Sequence, residues 1–121
     1  MYHANRASPA FVLAREEDID TVGEGIHRQI LGYGPDLMIC RVRFEKGAVG
    51  QVHAHPHSQS SYVESGRFLV TIDGEERELS AGDGFYVAPQ LDHGSVCLEP
   101  GVLIDTFSPV REDFLPEGKA S

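Results

Sequence analysis

From about residue 37 onward, apolar and polar positions alternate along the chain in short runs. Met38, Cys40, Val42 and Phe44 alternate with Ile39, Arg41, Arg43 and Glu45, the two-residue period of a strand with one face buried and one wet. Phe68, Val70 and Ile72 repeat the pattern and lead into Asp73-Gly74, a pair suited to the positive-φ positions of a two-residue hairpin turn. Ser80-Ala81-Gly82-Asp83-Gly84 marks another turn, and strands are predicted beyond it near 85–88, 93–98 and 101–107. Many short strands at this spacing predict an all-β antiparallel sandwich or barrel, spanning residues 31–115. Residues 1–30 are less regular and read as an N-terminal arm with irregular or short-strand structure. Within it Glu16, Glu17, Asp18 and Asp20 form an acidic stretch that reads as solvated surface. The end of the chain, from 115, reads as a frayed tail, with 116–121 flexible.

Length and charge narrow the function. A chain of 121 residues builds one domain around one core, so one site is expected. The formal net charge of -9 argues against a nucleic-acid partner, because that binding depends on Lys and Arg neutralising phosphates. It leaves a small anionic substrate open, since a metal and one well-placed Arg outweigh distant surface charge. No apolar run approaches the roughly twenty residues that span a bilayer, and no membrane partner is expected. Cys40 and Cys97 lie far apart without a CxxC pairing and read as small core residues. With no leader pattern at the start, the cytoplasm is the expected compartment.

The chemistry concentrates in the histidines. His53 and His55 are two apart, the spacing that puts side chains on one face of a strand, and Gln59 and His93 follow. Two imidazoles aimed at one point suggest a metal. The segment from Gly47 to Gly66 resembles the first cupin motif: a Gly, five residues, His-x-His, a short spacer, a ligand position, six residues and a Gly. Gln59 stands where that motif usually has a carboxylate. Gly82 to His93 resembles the second cupin motif in its spacing. Its interior departs, with Ala88 where the family has Pro, Pro89 one place late, Gln90 for a Gly and Cys97 for the closing Asn. The resemblance implies the cupin double-stranded β-helix, a jelly-roll barrel. It also implies one divalent transition metal (nickel, zinc, manganese or iron) held by His53, His55, Gln59 and His93. An amide oxygen is a neutral ligand, so such a set leaves the ion its full charge and suits Lewis-acid chemistry. The competing reading of these histidines is ordinary core or surface polarity. His57 shares the phase of His53 and His55 but reads as a supporting or surface residue. Gln51 shares the strand phase of His53 and reads either as pocket lining or as a loop residue.

Asp105-Thr106-Phe107-Ser108-Pro109-Val110-Arg111 resembles the ending of the KdgF-type cupins of pectin and alginate catabolism. That resemblance implies action on 4,5-unsaturated uronates, giving the linear 5-keto-4-deoxyuronate, and places Asp105, Phe107 and Arg111 in the active site. The implied roles are Asp105 as general acid or base, Arg111 as a carboxylate fork and Phe107 as packing against the sugar. Read alone, the same three residues would be a solvated charge, a core ring and a loop cation. A homodimer is a further implication. Two other readings stand beside this one: a metal-dependent oxygenase, and a non-catalytic domain that senses a small ligand or metal.

Overall fold

The structure is a computed structural model and describes residues 6–116. Among the described residues eight strands follow in order: β1 Asp20–Gly23, β2 Ile26–Gly34, β3 Leu37–Phe44, β4 Val49–His53, β5 Ser58–Ile72, β6 Glu75–Ser80, β7 Gly84–Val87 and β8 His93–Ser108. Single 3-10 turns cover Ala14–Glu16 and Glu112–Phe114. Among the described residues no helix is long and apolar enough to cross a membrane.

All pairings are antiparallel, and β5 and β8 run through the whole structure. The C-terminal half of β8 lies between β3 and the first half of β5, which β7 flanks. The N-terminal half of β8 lies between β4 and the second half of β5, which β6 flanks. The two halves meet at register shifts between Val63 and Phe68 on β5. There Gly66 (φ 82°) lies against Gly101, and a Cβ on Gly66 would stand 2.6 Å from the Gly101 Cα. No other residue fits that crossing without moving backbone.

The predicted alternation is the core pattern. Met38, Cys40, Val42, Phe44 and Phe68 are all buried, and the Phe44 and Phe68 rings meet edge to face at 5.1 Å between the halves. Ile72 pairs with Glu75 across Asp73-Gly74, both with positive φ (50° and 84°), which is the predicted tight hairpin.

Three expectations need correction. The strands predicted separately at 93–98 and 101–107 are one strand, because the ladder shifts register at Pro100-Gly101 without ending the pairing of β8 to β5. Leu115, placed in the frayed tail, is 2% exposed and belongs to the core. The sheet already includes β1 and β2, so the boundary placed near residue 30 falls within β2. The arm still packs locally, with Gln29 Nε2 donating to the Ala14 carbonyl at 2.8 Å. Of the tail predicted as flexible, residues 117–121 lie outside the described residues.

Candidate metal centre

His53 ends β4, Gln59 lies in β5 and His93 opens β8, so strand ends deliver three members of the cluster. His55 does not sit in the strand with His53, because β4 stops at His53 and His55 belongs to the connection before β5. A register shift between Gly50 and His53 further breaks the phase that the spacing predicted. The convergence survives this: the ligand nitrogens of His53, His55 and His93 all lie within 4.8 Å of one another.

Each imidazole is oriented by the main chain. The Nδ1 atoms bond to carbonyls: His53 to Gln51 at 2.8 Å, His55 to His57 at 3.1 Å and His93 to Leu91 at 3.0 Å. A carbonyl can only accept, so each Nδ1 carries a proton, and it is through Nε2 that each ring, when neutral, offers a lone pair. This is the carbonyl support usual behind metal-bound imidazoles. Gln51 therefore contributes its carbonyl to the cluster, while it lines a second, outer groove that also reaches His53.

Gln59 completes the arrangement. Its side-chain Oε1 stands 3.0 Å from His55 Nε2, while its Nε2 donates to Ser61 Oγ at 3.0 Å and Ser61 Oγ donates to Asp105 Oδ1 at 2.6 Å. The direction of this chain follows from its acceptor end. Asp105 takes the Ser61 proton, Ser61 then accepts from the amide, and the amide oxygen must face the imidazoles. Two acceptors 3.0 Å apart repel unless a proton or a cation sits beside them. Burial lowers the pKa of His55, and that of His93, which disfavours the proton. A cation fits: two metal ligands at about 2.1 Å and a right angle are about 3.0 Å apart. His53, His55 and His93 could hold a metal, with the Gln59 oxygen directed at the same point.

The cluster opens into a cavity of about 280 Å³ whose lining includes His53, Gln59, His93, Asp105, Phe107 and Arg111. That is near the lower end of ligand pockets, about 300–1,000 Å³, and suits one small molecule. Asp105 and Phe107 share the inner face of β8 as their spacing predicted, opposite Ser61 and Gln59 on β5. Burial pushes the Asp105 carboxyl up to about 6, against the Ser61 hydrogen bond and the charges of Arg111 and Arg28. The Phe107 ring lies 5.9 Å from His55 and 5.6 Å from Phe114. Arg111 makes a two-pronged pair with Asp113, Nε at 3.0 Å and Nη2 at 2.9 Å. His57 stays beside the cluster, its ring 5.5 Å from that of His55, with its own Nδ1 buried and unpartnered.

Sequence reasoning missed Ser61, Arg28 and Phe114. Ser61 was findable, being two residues from Gln59 in a strand and so on its face. Arg28 carried a weaker signal, a charge in phase between Ile26 and Ile30. Phe114 gave none, since its place depends on how the chain returns after β8.

Comparison with known proteins agrees with this architecture. The cupin domain family matches residues 40–107. The pectin degradation protein KdgF of Dickeya dadantii (strain 3937) is 49% identical over 98 residues, covering 79% of this chain and 89% of that protein. The crystal structure of an RmlC-like cupin from Shewanella frigidimarina NCIMB 400 superposes with a TM-score of 0.88 at 50% identity, over 90% of this chain and 98% of that one. The structure of KdgF from Halomonas sp. superposes with a TM-score of 0.85 at 44% identity, over 89% of this chain and 100% of that one. With its jelly-roll strands, its convergent histidines and relatives of this closeness, the chain belongs to the cupin family, among cupins of the KdgF type.

Proposed function

We propose that the protein holds one divalent transition metal through His53, His55, Gln59 and His93 and opens the ring of a 4,5-unsaturated uronate, yielding the linear 5-keto-4-deoxyuronate. The observation that carries this reading is the hydrogen-bonded chain from Gln59 through Ser61 to Asp105. It joins the imidazole cluster to a carboxyl near pKa 6 within one small cavity. The relatives named for KdgF, one of them as a pectin degradation protein, support a substrate derived from that polymer.

Ring opening breaks the bond between C1 and the ring oxygen, leaving an aldehyde at C1 and an enol at C5. The enol then loses its hydroxyl proton while C4 gains one, so the linear ketone is an isomer of the ring. Asp105 is the proton carrier: with Oδ1 held by Ser61, Oδ2 is left for the ligand, and a pKa of about 6 lets it take and return a proton near neutrality. Arg111 keeps Nη1 for the substrate carboxylate while Asp113 holds its other edge. Phe107 gives the sugar an apolar wall and excludes water. A bound divalent ion supplies Lewis-acid polarisation of carboxylate and carbonyl oxygens.

The deciding experiment mixes metal-loaded protein, chelated protein and the Asp105→Asn and Arg111→Ala variants with unsaturated uronate and follows loss of the enol-ether absorbance. Acceleration by the loaded protein alone is expected. Its absence in protein of confirmed metal content overturns the reading and favours oxygen activation or ligand sensing.

A homodimer belongs to the same proposal. Leu37, Ile39, Tyr62 and Tyr86 stand exposed on the outer face of β3, β5 and β7, a surface suited to a second copy. Light scattering tests this, and a monomer at micromolar concentration rejects it.

A further inference from the structure

The cavity holds a second guanidinium. Arg28, on β2, is 8% exposed and lines the same space as Asp105 and Arg111. Its Nε is buried without a hydrogen-bond partner among the described residues. Among the described residues no carboxylate forms an ion pair with it. Its close contact is the Phe114 ring, whose centre lies 3.6 Å from its Cζ, and the same ring stands 4.2 Å from the Arg111 Cζ. Asp20 and Asp113 act on it only as nearby charges.

Burying an arginine without a counter-ion is unfavourable, because the guanidinium stays protonated and gives up water without gaining an anion. A stacked ring offsets part of that loss. The remaining donors point to an anion that is not part of the chain. Arg111 has two of its three nitrogens committed to Asp113 and keeps Nη1, whereas among the described residues Arg28 has no such commitment, so Arg28 is the less committed of the two guanidiniums that face the ligand.

We infer that Arg28 is a second anion-recognition residue of the cavity and binds the carboxylate of the ligand together with Arg111. This rests on the proposed function for the identity of that anion as a sugar carboxylate. Arg28 thereby selects sugar acids over neutral sugars, and Phe114 sets the spacing of the two guanidiniums.

The test is calorimetric titration of metal-loaded wild-type protein and the Arg28→Met, Arg28→Gln and Arg28→Lys variants with galacturonate and, as its neutral counterpart, galactose. Arg28→Met keeps a long flexible side chain against Phe114, and Arg28→Gln covers the case in which it fails to fold. The expected result is about a tenfold or greater loss of galacturonate affinity in the neutral variants, from a charge-assisted hydrogen bond. Galactose binding is expected to stay unchanged, and Arg28→Lys to recover part of the loss. With unsaturated uronate, KM rises more than kcat falls. Galacturonate affinity within twofold of wild type in a folded neutral variant overturns the inference and leaves Arg28 as packing. A wild-type protein that does not distinguish galacturonate from galactose overturns it too. The uronate reading is separable: without ring opening, carboxylate discrimination lost in Arg28→Met still upholds Arg28 and assigns the cavity another carboxylate.

Discussion

Ser61 and Asp105 face each other as partners across β5 and β8, and the serine hydroxyl donates to the carboxylate at 2.6 Å. Because that hydroxyl has one proton, giving it to Asp105 obliges Ser61 to accept from Gln59 and turns the Gln59 oxygen toward the histidines. Ser61→Ala removes both bonds and leaves the amide free to rotate. We expect metal affinity to fall by about 10–100-fold, the usual effect of losing support behind a ligand, as measured by competition with a chromogenic chelator. Unchanged affinity sinks the orienting role.

The raised pKa of Asp105 has a consequence for stability. The folded state holds its proton up to about pH 6, the unfolded chain only to about 3.8, so between those values the folded protein binds more protons and loses stability as pH rises. The loss is absent below the lower value and complete above the upper one. Asp105→Asn escapes it. This variant should be more stable than wild type by about 1–3 kcal/mol at pH 8, a difference that closes by pH 4, while losing activity. Equal denaturation midpoints for the two proteins at pH 8 contradict the assignment.

If Asp105 works as a base, activity must also follow its ionisation. The acid limb of kcat/KM is expected near pH 6 in wild type. Ser61→Ala should move that limb to higher pH, because it removes the hydrogen bond that favours the charged form. A limb that stays in place assigns the titration elsewhere.

Chelation should lower the melting temperature, since an ion bound only by the folded chain at a hundred times its Kd contributes about 2.7 kcal/mol. The shift should reverse on adding back the metal and be largely lost in His93→Ala. A melting curve indifferent to chelator rules out a bound ion under those conditions.

Gln90 sits at φ 71°, where the resemblance expected glycine, and its backbone N–H donates to the His55 carbonyl at 2.8 Å. The turn next to the cluster is therefore kept with a residue that strains in it. Gln90→Gly should raise stability by about 0.5–1 kcal/mol, the relief of the left-handed backbone less the added freedom of the unfolded chain. A destabilised variant would mean that the Gln90 side chain contributes more than its backbone loses.

Much of this was legible along the chain because it is periodic or closely spaced. The buried series from Met38 to Phe44, the Asp73-Gly74 turn and the order of the histidines all depend on neighbours a few residues away. The rest depends on distant pairing. The break predicted between strands at 93–98 and 101–107 is bridged by β5, whose register shifts between Val63 and Phe68 lie far away in sequence. His53 and His55 converge through a bulge and a loop, rather than along the one straight strand that their spacing suggested. Arg28 and Phe114 meet only because the segment after β8 returns to β2, which no local pattern encodes.

The continuous run of β5 against β8, from Ser58 opposite Ser108 to Ile72 opposite His93, also bears on how fast the protein becomes competent. His53, His55 and Gln59 are near neighbours in sequence, but His93, Asp105 and Arg111 reach them only when segments far apart along the chain come into register. Closing such loops precedes any gain from the contacts made, and chains dominated by non-local pairing refold in milliseconds to seconds rather than microseconds. The cavity and the paired long strands should therefore emerge together, with no active partly folded form on the way.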